Sequence, residues 1–213
     1  MSTVHNQKWY CGMVAVIGWF AVVLQLVLML QNKDAPVGET LVRFFSFFTI
    51  LTNILVAVYF TLQSVVVNKH RNQLVFSSAA ATAITVYIVV VGLVYNIILR
   101  QLWNPQGWQY LVDLLLHTII PVLTLLYWIF LVKDKNLNYC TAFWWLLYPI
   151  LYCVYVLFRG AASNFYPYPF IDVSKLGIQK VLVNSVFLSL LFLVLSLAFI
   201  FAGKLLSRQK AQI

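Results

Sequence analysis

The chain has 213 residues, of which 63% are hydrophobic and 9% charged, with a formal net charge of +9. A soluble domain carries about 25% charged residues, so composition excludes a soluble globular protein and points to a polytopic membrane protein. The positive charge is no nucleic-acid footprint, because Lys and Arg sit in short loops and at segment ends, where they face headgroups and set topology.

Six apolar segments are each near the ~20 residues that cross the hydrocarbon. They run about 9–31, 41–67, 74–99, 108–132, 140–158 and 177–203, which predicts an all-α fold: one transmembrane domain of six helices over 1–213. The first run, from Trp9 to Leu30, is longer than a signal h-region and lacks a small-residue cleavage site, so it reads as a spanning helix. The breaks are short and polar, except for RGAASNFYPYPFIDVSK before the sixth segment, which reads as an ordered interfacial loop. Cys11, Cys140 and Cys153 form no C-x-x-C and support neither a disulfide framework nor a zinc site.

An even number of helices puts both termini on one side. That side would hold Lys8, Lys69, Arg71, Lys133, Lys135, Lys204, Arg208 and Lys210, against Lys33, Arg43, Arg100, Arg159, Lys175 and Lys180 on the other. The positive-inside rule then predicts cytoplasmic termini. The short loops and termini suit a bacterial inner membrane, or the endoplasmic reticulum in a eukaryote.

The fourth segment is the most informative. Asp113, His117 and Pro121 follow one another at steps of four, which puts them on one helical face. A helix that carries an acid and a histidine in lipid must turn that face toward other helices or trapped water. His117 lies about 13 Å below the outer end of its helix at ~1.5 Å per residue. In the second segment Ser46, Thr49, Thr52 and Asn53 share a stripe, with Thr49 about 12 Å deep by the same rise. Thr49 and His117 are therefore expected at one level. Gln25, Asn96, Arg159 and Asn184 are expected in the same outer half. Pro121 has no N–H for the His117 carbonyl, so a kink is expected there.

These residue types allow acyl-transfer chemistry. A hydroxyl needs a base to become a nucleophile, and histidine is the usual one. Asp113 would fix the imidazole tautomer, or else pair with Arg100 or Lys180 at the interface. Thr52 rivals Thr49 on the same face. Asn53, Asn96 and Asn184 either donate to a developing oxyanion or bond between helices as packing glue. Tyr166, Tyr168 and Phe170 of the long loop either cap the pocket or form an aromatic belt. No G-x-S-x-G, H-E-x-x-H or Gly-rich phosphate loop occurs. No cofactor, metal or nucleic acid is expected.

Three blocks, FFTILTNILVAV, LLLHTIIPVLTLLYW and YPYPFIDVSKLG, resemble in order those of the family of the androgen-induced protein and the androgen-dependent TFPI-regulating protein, with its bacterial Pr-six-Pr branch. The resemblance implies a six-helix membrane fold. It also implies a threonine hydrolase that cleaves branched fatty acid esters of hydroxy fatty acids. The family's nucleophile follows an aromatic-Leu pair, the place held here by Phe47-Phe48 before Thr49. Its histidine lies in an H-T-x-x-P setting, met here by His117, Thr118 and Pro121. Where animal members have an acid soon after the threonine, this chain has Thr52-Asn53. The expected protein is a membrane lipid hydrolase using Thr49 and His117, with Asp113 orienting the ring and Arg159 or an asparagine completing the site. The alternative is a transporter, lipid-binding protein or adaptor that uses the same polar pocket without turnover.

Overall fold

The computed structural model describes residues 2–32, 34–66 and 76–210, with side chains described from 5 to 207. The expected helix ends at Val67 and Leu74, the loop 68–73 and the charges of Lys33, Lys69, Arg71, Arg208 and Lys210 lie outside the described residues or side chains. The described chain is helical, with no strand, and six of its helices are long and apolar enough to cross a membrane. These spans are His5–Asn32, Phe48–Val65, Ser78–Leu102, Gly107–Phe130, Thr141–Ser163 and Val173–Ser207. Contacts divide the chain into two compact units, Met1–Lys135 and Asn136–Ile213.

In the first unit, α1 (Ser2–Asn32) packs on α3 (Phe48–Val65) through small residues. A Cβ on Gly18 would sit 3.1 Å from that of Ala57, so the missing side chain lets the backbones approach. Trp19 Nε1 donates to Thr61 Oγ1 beside this crossing, at 3.1 Å. The second expected segment is not one helix. It divides into α2 (Val37–Ser46) and α3 at Phe47, whose φ of −82° and ψ of 124° are extended. No Pro or Gly marks the break. The run FFSFF is made of middling helix formers, so little propensity opposes the bend. The spanning part begins only at Phe48. α2 is amphipathic instead: Thr40 and Phe44 are buried on one face, and Arg43 pairs with Glu39 at 2.8 Å on another.

The Ser77 hydroxyl caps α4 (Ser78–Val94) by accepting from Ala80 N–H at 3.1 Å. This helix ends in a π-turn over Tyr95–Leu99 and a 3₁₀ turn over Arg100–Leu102. The fourth span is α5 (Gly107–Leu114), a π-turn over Leu115–Ile119 and α6 (Ile120–Phe130). Pro121 follows directly, so the kink expected at His117 takes the form of a widened turn. Tyr10 OH donates to Leu123 O at 2.7 Å and Trp128 Nε1 to Thr82 Oγ1 at 2.9 Å, tying α6 to α1 and α4. Lys135 departs from its expected role as a headgroup-facing charge. It is 2% exposed, with Nζ donating to Ile129 O at 2.9 Å and lying 5.0 Å from the Trp128 ring centroid.

In the second unit, α7 (Thr141–Trp145) and α8 (Leu147–Ser163) meet at Leu146. Pro149 has no N–H to return to the Trp145 carbonyl, which accounts for the step. α8 ends on Asn164 in the left-handed region at φ 56°. The long loop then packs against its own helices. The Tyr166 ring occupies the space a Gly160 side chain would need, and Tyr168 stacks on Phe170 at 5.2 Å. Val156, Ile171 and Val181 form a small core beneath it. Asp172 opens α9 (Val173–Lys210), its Oδ1 accepting from Ser174 N–H at 3.1 Å and from Ser174 Oγ at 2.5 Å. The helix is interrupted at Gly177, whose φ of 75° favours glycine.

Candidate functional site

The polar centre of the first unit forms where the two π-turns approach. A π-turn widens the backbone by one residue and frees a carbonyl, and such turns recur at functional sites. Here Ile120 N–H bonds Leu115 O, five residues back. Pro121, next in line, offers no N–H to Leu116 or His117. Both carbonyls are bonded from other helices: Asn53 Nδ2 reaches Leu116 O at 3.3 Å, and Asn96 Nδ2 reaches His117 O at 3.1 Å. Gly92 makes the second contact possible, since a Cβ there would lie 3.2 Å from both His117 O and Pro121 Cβ. The two asparagines thus supply the donors that the proline and the wide turn remove.

That geometry decides between their two expected roles. Asn53 Nδ2 also donates to Thr49 O at 2.9 Å, so its hydrogens go to two carbonyls. Asn96 Nδ2 is spread over Gly92 O, His117 O and Thr118 Oγ1, and its Oδ1 accepts from Arg100 Nη1 at 3.2 Å. Neither has a hydrogen left for an oxyanion; both hold helices together. Asn53 keeps only Oδ1, a buried acceptor with no hydrogen bond among the described residues.

The acid and the histidine meet as their spacing implied. His117 Nδ1 lies 3.0 Å from the main-chain O of Asp113 and 3.2 Å from its Oδ1. The N–H is aligned on the carbonyl, while Oδ1 lies off that axis and acts as a nearby charge. A main-chain carbonyl can only accept, so Nδ1 carries the hydrogen and the neutral ring leaves Nε2 bare. Asp113 is 8% exposed, and its Oδ2 accepts from Tyr95 OH at 2.5 Å. The Tyr95 ring stacks on the imidazole, with centroids 3.7 Å apart and planes at 14°. Trp103 Nε1 donates to Tyr95 OH at 3.0 Å. A cavity of about 100 Å³ opens beside this chain, lined among others by Tyr95, Arg100, Trp103, Asp113 and Thr118. Arg100 bonds Asn96, so among the described residues Asp113 pairs with His117 rather than with an interfacial cation.

Thr49 and Thr52 are buried in the first two turns of α3. The carbonyls of Thr49 and Leu116 accept from one Asn53 amide, so α3 meets the fourth span close to the expected level. Among the described residues, however, the His117 side chain bonds within its own helix and does not bond Thr49. The remaining expected residues lie in the second unit. Asn184 Nδ2 donates to Phe170 O at 2.8 Å and pins the loop to α9. The Arg159 guanidinium lies 5.8 Å from the Phe165 ring centroid. Tyr166, Tyr168 and Phe170 contact α8, one another and the core below. Tyr95 and Trp103 were not singled out in the sequence, where no motif or spacing ties them to the Asp113–His117 face. No protein-family model, curated protein or solved structure matches this chain.

Proposed function

We propose that the protein is a membrane-embedded ester hydrolase of threonine/histidine type. Its substrates would be lipid esters such as branched fatty acid esters of hydroxy fatty acids. One observation carries the reading: the main-chain carbonyl of Asp113 lies 3.0 Å from His117 Nδ1, an acceptor that favours the proton there and leaves Nε2 as a base inside the membrane span. The three sequence blocks that resemble the androgen-induced protein family add the nucleophile, Thr49. In the reaction, Nε2 takes the Thr49 hydroxyl proton as Oγ attacks the ester carbonyl. The tetrahedral intermediate collapses, and the imidazolium returns the proton to the departing alcohol. Water, deprotonated by the same nitrogen, then cleaves the acyl-threonine and frees the acid. Among the described residues the His117 side chain bonds within its own helix, so this mechanism requires Thr49 Oγ and Nε2 to come within hydrogen-bond reach in the complex, where catalytic hydrogen bonds often tighten.

On the positive-inside reading of the loops the site would lie nearer the non-cytoplasmic face, with lipid entering sideways, in a bacterial inner membrane or the endoplasmic reticulum. A non-catalytic lipid-binding or transport role has one observation in its favour: Asn53 and Asn96 spend their donors on carbonyls. Trapping separates the two. A fluorophosphonate probe should label wild-type protein on Thr49, with the modified peptide identified by mass spectrometry. Equal labelling of wild type, Thr49→Ala and His117→Ala would remove the hydrolase reading.

A further inference from the structure

We infer that Tyr95 is a positioning residue for the Asp113–His117 pair, and that Trp103 ties this brace to the loop between the third and fourth spans. The inference rests on the hydrolase reading for its catalytic consequence, but its geometric content stands by itself. An indole N–H only donates, so the Tyr95 oxygen is the acceptor from Trp103 and its own hydrogen must go to Asp113. The sequence of donors is therefore fixed: Trp103 to Tyr95, Tyr95 to Asp113 Oδ2. A short hydrogen bond from a hydroxyl to a carboxylate oxygen is among the stronger kinds. With Oδ2 pinned, Oδ1 stays 3.2 Å from Nδ1.

The same residue acts on the imidazole with its ring. Parallel planes at a 3.7 Å centroid separation leave no room for the imidazole to turn edge-on. Tyr95 thus fixes both members at once, one by its hydroxyl and the other by its face. Its own position follows from the π-turn that opens at Tyr95, against the π-turn that contains His117. Trp103 also lines the cavity, so a molecule that enters there meets the outermost link of the chain.

The test uses full-length protein in detergent micelles, with His5→Gln and His70→Gln so that His117 alone reports. Nitrogen-15 NMR of the imidazole reads which nitrogen carries hydrogen. The wild-type brace predicts the Nδ1–H form. Tyr95→Phe keeps the stack and removes the hydroxyl, so the carboxylate can turn its charge away from Nδ1; the main-chain carbonyl of Asp113 then holds the Nδ1–H alone, and an Nε2–H fraction should appear beside it. Misplacing a catalytic group slightly costs up to about a hundredfold, so kcat on a lipid ester should fall about tenfold or more with KM little changed. Trp103→Phe, which leaves Tyr95 intact, should move both readouts in the same direction by less. Should Tyr95→Phe fail to fold, Trp103→Phe alone decides. An unmixed Nδ1–H form in a folded variant overturns the inference. If wild-type protein hydrolyses no ester, the hydrolase reading falls, and the tautomer alone supports or overturns the brace.

Discussion

Asn96 should be worth more to this fold because residue 121 is proline. Its amide donates to Gly92 O at 2.9 Å and His117 O at 3.1 Å, and Pro121 has no N–H for the latter. Asn96→Leu keeps the volume and removes the donor. Leaving a buried carbonyl unpaired costs about 1–3 kcal/mol in soluble proteins, while interhelical hydrogen bonds in membranes average ~0.6 and reach ~1.7 kcal/mol. We expect a loss of about 1–2 kcal/mol, near the upper membrane value, because Pro121 has no N–H to offer this carbonyl. Pro121→Ala supplies the missing N–H. In that background the same substitution should cost about 0.5 kcal/mol or less, since the helix can then close on His117 O. Reversible unfolding of the four proteins in mixed micelles, followed by circular dichroism, gives the cycle. An equal loss from Asn96→Leu in both backgrounds would refute the assignment of Asn96 as the proline's substitute donor.

Other substitutions probe the surrounding structure. Gly160→Ala places a Cβ 2.0 Å from the Tyr166 ring and should destabilise the second unit by about 1–3 kcal/mol in thermal unfolding; pairing it with Tyr166→Ala should recover most of the loss, and a neutral single variant would deny the contact. Hydrogen bonds from Ser174, with Lys175 nearby, hold the Asp172 carboxyl below its ordinary value. A depressed acid stabilises the fold above its unfolded pKa and loses that contribution as pH falls through the folded one. Amide exchange in the first turn of α9 should therefore quicken on acidification, and Asp172→Asn should flatten that response; an unchanged acid dependence would discount the cap. Lys135→Met keeps the buried stem but loses the bond to Ile129 O and the contact with Trp128. It should cost about 1–2 kcal/mol, whereas no loss would mean the ammonium only fixes topology.

The six spans were legible because each is a long apolar run with polar ends, and the Asp113–His117 pair because steps of four define one face. The break at Phe47 was not, since it carries neither Pro nor Gly. The π-turn at Leu115–Ile119 was half legible: Pro121 announced a disturbance but not its form. The oxyanion role considered for Asn53 and Asn96 depended on where their hydrogens point, which only the packed helices decide. Tyr95 and Trp103 belong to no motif, and nothing in their spacing tied them to Asp113 or His117. Lys135 sits in a charged KDK run, so its burial under the end of α6 left no trace in the pattern.

Purified protein in liposomes, supplied with a fatty-acid ester of a hydroxy fatty acid and assayed for released acid, puts the reading at greatest risk. The account predicts release by wild type, little or none by Thr49→Ala and His117→Ala, and an intermediate rate from Asp113→Asn. Release that persists in His117→Ala, or its absence from folded wild type across a panel of lipid esters, would contradict it.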